Sequence, residues 1–239
     1  MIAYQRGAIT PNDLIMPLFI AVPLLILLQG IDLDRAVLDH LYDTRLHDFP
    51  LRRAWLTSVA LHEWIRVPVI ASGIVLLGAL IAAQFSQRLN PWRRTIAFVL
   101  FAMVLGAGVV AVIKHFSAGA CPYQLALYGG DELRLGLFDA LPEGARPGRC
   151  WPGGHASTAF ALFPWYFIAR HYASTRVAYA TLAGILSFGV LLTVVQTLRG
   201  THWPSDQVYT ALLCWYSTLG LYAVMGRQHF HPAARAAAE

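Results

Sequence analysis

Apolar residues run along this chain in long blocks separated by short polar interruptions. A helix that crosses a bilayer needs roughly 20 mostly apolar residues, with about 17 to 25 tolerated. Six blocks approach that length: residues 14–28, 67–85, 95–113, 156–169, 178–195 and 205–225. The first and fourth are short and draw on their flanks. Between the first two blocks, residues 31–66 set apolar positions among charged ones at helical spacing (Leu33, Ala36, Val37, His40, Leu41, then Trp55, Val59, Leu61). That pattern reads as helices lying along the membrane interface. Residues 114–155 are rich in Gly and Pro. The pattern predicts an all-α polytopic membrane protein: six transmembrane helices with interfacial helices, in a single membrane-embedded domain over residues 1–239. The first block follows Arg6 and has the outline of a signal peptide. No small-x-small cleavage site follows Gln29, so it reads as an uncleaved anchor.

Composition agrees. The chain is 57% hydrophobic and 13% charged, with a mean hydropathy of +0.52, where a soluble domain carries about 25% charged residues. Too few charges remain to coat a surface in water. The net charge of +5 is scattered, with no basic stripe to track a nucleic-acid backbone; the lipid bilayer is the expected partner. A bare count of basic residues does not decide orientation, which responds mainly to short loops near span ends. The tight connection 87–94 carries Arg88, Arg93 and Arg94 and no acid, on the side that also holds Arg6, Arg170, Arg176, Arg227 and Arg235. All acids except Asp13 and Glu239 fall on the opposite side. The termini are therefore expected in the cytoplasm, and residues 31–66 and 114–155 on the outer, periplasmic face of a bacterial-type inner membrane.

Three clusters carry candidate chemistry: residues 114–122 (KHFSAGACP), 152–155 (PGGH) and 196–206 (QTLRGTHWPSD). The six-span topology brings all three to one rim, where polar groups are costly and mark function. Phosphoryl transfer suits them, since it needs fixed positive charge, an in-line nucleophile and an acid for the leaving oxygen. Lys114 and Arg199 supply charge. His202 can be the nucleophile, and Asp206, four residues on, can hold its tautomer. His155 can protonate the leaving group. Gly153 and Gly154 precede a helix start, where backbone amides can bind an anion, and Pro204 would direct a second helix N-terminus to the same place.

These clusters resemble the type 2 phosphatidic-acid phosphatase superfamily, related to the vanadium haloperoxidases. Its signatures are K-x-x-x-x-x-x-R-P, P-S-G-H and S-R-x-x-x-x-x-H-x-x-x-D. The resemblance covers the last four blocks and implies a metal-independent phosphoric-ester hydrolase acting on lipid phosphates, without cofactor, through a phosphohistidine. Phosphatidate-type lipids, polyprenyl diphosphates and lipid A are the implied substrates. Lys114 becomes the phosphate-binding lysine, His155 the acid, His202 the nucleophile and Asp206 its partner. Cys121 stands in place of the first-motif arginine, Gly153 in place of the serine, and Val195 and Gln196 in place of S-R. Arg199, about one turn beyond Gln196, and Arg149 are candidate replacements.

Cys121 and Cys150 both fall in the outer, oxidising loop, where a disulfide between them would contribute on the order of 3–4 kcal/mol; two free thiols are the alternative. His40, His47, His62 and His115 are assigned no role. The leading function is lipid phosphatase. The competing readings are a lipid-to-lipid phosphotransferase of the same fold and a catalytically impaired lipid-binding homologue. Ionisable groups clustered at one rim, rather than at the bilayer midplane, argue against a transporter.

Overall fold

The computed structural model describes residues 8–136 and 139–225 and is all-helical. Among those residues there is no β-strand, only two isolated bridges, Asp43 with Asp48 and Leu125 with Glu132. Arg6, Arg227 and Arg235 lie outside the described residues. The helices are α1 (Pro11–Leu25), α2 (Leu33–Leu41), α3 (Val67–Ala82), α4 (Arg93–Phe116), α5 (Ser157–Phe160), α6 (Phe163–Tyr172), α7 (Thr175–Leu198) and α8 (Pro204–Met225).

Among the described residues, five stretches are long and apolar enough to cross a bilayer: Pro11–Gly30, Leu56–Ala82, Asn90–Phe116, Thr175–Leu198 and Pro204–Met225. The fourth expected block forms the two short helices α5 and α6 instead. Pro164 sits in the first turn of α6, and a proline has no N–H to continue a preceding helix. This pair is more enclosed than a lipid-facing span. Phe160, Phe163, Tyr166 and Phe167 are buried in a core with Phe98 and Met103 of α4 and Trp215 and Tyr222 of α8. The outer faces carry the apolar surface that lipid would cover: Phe19 and Ile20 on α1, Ile74 and Val75 on α3, Val190 on α7 are all exposed. Helix α3 buries none of its residues.

Helix α1 lies along α8. The Trp215 indole N–H donates to the Asp13 carbonyl at 2.8 Å, Tyr216 donates to the Leu14 carbonyl at 2.6 Å, and the Gln29 amide donates to Ser205 Oγ at 3.1 Å. Asp13 is also ion-paired with Arg170 of α6 at 2.6 Å.

The segment between α1 and α3 differs from its expected surface role. Helix α2 forms, but Leu38 and Phe49 are buried in a second, smaller core with Leu125 and Tyr128, and Trp203 packs on it. Residues 31–66 thus include a cap over one end of the bundle, with Trp55 left exposed against Trp64.

Candidate active site

Helix α7 ends at Leu198, and Gly200 takes the left-handed conformation (φ 61°) that commonly closes a helix. No larger residue fits there, because a Cβ would fall 2.1 Å from Phe49 Cδ2. The turn is held from outside by Tyr123, whose N–H donates to the Gly200 carbonyl at 2.9 Å. It delivers His202 and then α8, with Pro204 at the first helical residue.

His202 is buried, and its Nδ1–H donates to Asp206 Oδ2 at 3.0 Å. The same oxygen accepts from the Trp203 backbone N–H at 3.1 Å, which fixes the carboxylate. Burial lowers the His202 pKa from its ordinary value, with Asp206 opposing and the Lys114 and Arg199 charges adding. The imidazole is thus neutral near pH 7, with its proton on Nδ1 and a lone pair on Nε2. Asp34 is a partner that sequence reasoning missed. Its buried carboxylate accepts the Ser205 N–H at 3.1 Å and the Ser205 hydroxyl, so the first turn of α8 is already capped by an anion and differs from the open phosphate site expected from Pro204.

Lys114, at the end of α4, donates Nζ to the Cys150 carbonyl at 2.9 Å. Its side chain passes over Gly154, where a Cβ would stand 3.4 Å from Lys114 Cδ. Gly153 lies against α8. Its N–H points to the Asp206 carbonyl at 3.4 Å, and its own carbonyl accepts from Thr210 at 3.0 Å. A Cβ on Gly153 would lie 1.9 Å from Gln207 Oε1, so the Gln207 carboxamide fills the space a serine side chain would need.

His155 is buried and its Nε2–H donates to the Leu61 carbonyl at 3.2 Å. A carbonyl can only accept, so Nε2 carries the proton and Nδ1 is the nitrogen left for a second one. Burial pushes this histidine down to about 4, with positive neighbours Arg199, His202 and Arg66 adding and the Leu61 carbonyl opposing.

Position 196, where the family signature has arginine, does more than lack a charge. Its glutamine sits at the centre of a network: Oε1 accepts from Arg199 NH1 at 3.3 Å and from Thr201 Oγ1 at 2.6 Å, and Nε2 donates to His62 Nδ1 at 2.9 Å. The His62 ring lies 4.3 Å from that of His155. His62 lies far upstream of the motifs, in a segment patterned like any membrane-surface helix, so no local signal marked it. Arg199 also donates Nε to the Arg52 carbonyl at 3.2 Å.

Cys121 and Cys150 are joined, with Cα atoms 5.1 Å apart. Cys150 Sγ lies 3.5 Å from His202 Nδ1, so the bridge walls the histidine on one side. Cys150 Sγ, His202 Nδ1 and an Asp206 oxygen fall within 4.8 Å of one another, but a disulfide sulfur is not the thiolate a metal needs. Arg149 is tied to the first cluster only through its backbone, whose N–H donates to the Ser117 carbonyl at 3.1 Å; the residue is exposed, and among the described residues no side-chain hydrogen bond or ion pair joins it to the site. His115 is likewise exposed.

Lys114, Gly153, Gly154, His155, Arg199, His202 and Asp206 therefore converge on one end of the bundle. The family model of the PAP2 superfamily matches residues 95–230, more than half of the chain. The chain belongs to the PAP2 superfamily. No curated protein and no solved structure matches it. PAP2 membership brings phosphatase-type chemistry to an all-helical chain with membrane-like helices.

Proposed function

We propose that this PAP2 protein hydrolyses a phosphate monoester or diphosphate on a membrane lipid through a phosphohistidine at His202, on the outer face of the inner membrane. The observation that carries the reading is the His202–Asp206 pair. Nδ1 is committed to a carboxylate that is itself held by a backbone N–H, which leaves Nε2 as the nucleophile. Nε2 attacks phosphorus, the bond to the leaving lipid oxygen breaks, and that oxygen takes the proton carried by His155 Nδ1. Water then attacks the phosphohistidine, His155 takes a proton back, and inorganic phosphate leaves. Lys114 and Arg199 hold the phosphoryl oxygens. A dianionic substrate beside His155 favours its charged form, offsetting the burial that keeps it neutral when the site is empty.

The departures at Cys121 and Gln196 remove two arginines, and that at Gly153 a hydroxyl, which favours an impaired homologue unless charge is restored at the site. Arg199 NH1 reaches the Gln196 side chain itself and so restores one of the two charges, which supports an active enzyme.

The test is phosphate release by the purified protein from phosphatidate, a polyprenyl diphosphate and lipid A. His202→Ala lowers release by a factor on the order of 10⁴ or more, and chelator leaves the wild-type rate unchanged. Near-normal release by His202→Ala overturns the mechanism. A phosphorylated acceptor lipid in place of free phosphate assigns the phosphotransferase reading.

A further inference from the structure

Beside the His202 turn lies a cavity of ≈ 290 Å³ lined by Arg52, Arg53, Ser58, Tyr123, Arg199 and Thr201. Half of this wall, residues 52–58, lies outside the stretch that the PAP2 model matches. Its charges do not cancel. Asp48 holds the Arg52 guanidinium through two bonds, at 2.6 and 2.7 Å, and the same guanidinium lies 4.9 Å over the Tyr123 ring. That pair is close to neutral. Arg53 and Arg199 have no carboxylate within ion-pair distance among the described residues; Arg199 reaches only the neutral Gln196 side chain and the Arg52 carbonyl. Burial pulls Arg199 below its ordinary value, with Tyr123 and Glu63 opposing and Arg52 adding. Two guanidinium groups without an ion-pair contact, Arg53 exposed and Arg199 half-buried, thus line one hollow with hydroxyl-bearing side chains beside them. Guanidinium forks match phosphoryl oxygens, and such a surplus is relieved by an anion.

We propose that this cavity binds a second phosphoryl group of the substrate, beyond the one attacked by His202. The inference rests on the phosphatase reading above and assigns specificity to it. Arg199 serves both places, since it touches Gln196 on the catalytic side and lines the cavity on the other. Arg52 and Arg53 serve only the second. The second phosphoryl can come from a diphosphate, directly joined to the first, or from a separate phosphate on the same lipid headgroup.

The experiment uses the purified full chain in detergent. Calorimetric titration compares methylenediphosphonate with inorganic phosphate for the wild type, Arg53→Gln and Arg53→Lys. Loss of one charge-assisted contact is expected to weaken methylenediphosphonate binding about tenfold in Arg53→Gln, to exceed any loss for inorganic phosphate, and to be partly recovered in Arg53→Lys. Turnover is then compared for a polyprenyl diphosphate, the monophosphate of the same chain, and a lipid with two separated phosphates. The source that occupies the cavity is the one whose kcat/KM falls about tenfold more than that of the monophosphate. Equal losses for mono- and bis-phosphorylated ligands, or none, overturn the proposal. The titration arm is repeated on His202→Ala. If that variant still releases phosphate, the phosphatase mechanism fails, while the titration still decides whether the cavity discriminates a second phosphoryl.

Discussion

At position 153 the family's serine is a glycine, and the reason is a side chain on another helix. The Gln207 carboxamide presses on Gly153. It is itself buried, with neither amide atom hydrogen-bonded among the described residues. A lost hydroxyl and a glutamine in an apolar helix look unrelated in the sequence, yet they compete for one space. Gly153→Ser forces the carboxamide aside, and overpacking of this kind costs about 1–3 kcal/mol. Its expected outcome is a lower melting temperature, by several degrees. Adding Gln207→Ala should restore it. A double variant no better than Gly153→Ser would show that the two positions are not coupled.

Among the elements, the segment from Arg52 to Arg66 changes meaning most between sequence and structure. Its apolar spacing is that of a membrane-surface helix, yet its backbone carbonyls at Arg52 and Leu61 accept from Arg199 and His155, and His62 meets Gln196. None of these contacts leaves a trace in periodicity, because carbonyl oxygens belong to every residue alike. The cap makes stability depend on pH through His155. Its folded value of about 4 lies below the ordinary 6.5, so between those values the unfolded chain binds more protons than the folded one. Stability is complete above about pH 6.5 and is lost as pH falls toward 4, by on the order of 2 kcal/mol at pH 5. Melting curves of the detergent-solubilised protein between pH 4.5 and 7.5 should show that acid limb. His155→Gln, which keeps a donor for the Leu61 carbonyl, should weaken it, leaving the part that belongs to buried His202. An unchanged limb in the variant would place the proton uptake elsewhere.

For the molecule as a whole, the arrangement is a helical bundle with exposed apolar flanks and its chemistry at one end. The second core, built on Leu38, Phe49, Leu125 and Tyr128, ties the cap to residues 122–132 over that end, while the Arg93 start of α4 lies at the other. The orientation proposed above predicts that a single cysteine at Asp131 is labelled by a membrane-impermeant maleimide in intact spheroplasts, and one at Arg93 is not. The reverse pattern would turn the site to the cytoplasm and remove outer-leaflet lipids from consideration.

Helical class, the apolar blocks that become long helices, the family and the histidine–aspartate spacing were all legible in the sequence. Each depends on local periodicity or on a short motif, and His202 and Asp206 meet because four residues at a helix start bring them together wherever that helix lies. The split of the fourth block into α5 and α6 was half-legible, since Pro164 marks it but the apolar run hides it. What only the tertiary structure decided are contacts between segments far apart in the chain: Asp34 on the first turn of α8, His62 and Gln196 behind His155, Gln207 in the place of a serine, and three arginines around one cavity. Packing decides these, and packing between distant segments has no period to read. The same physics separates Arg199 from Arg149. Both were candidate replacements for a lost cation, and only the fold carries one to Gln196 and leaves the other exposed.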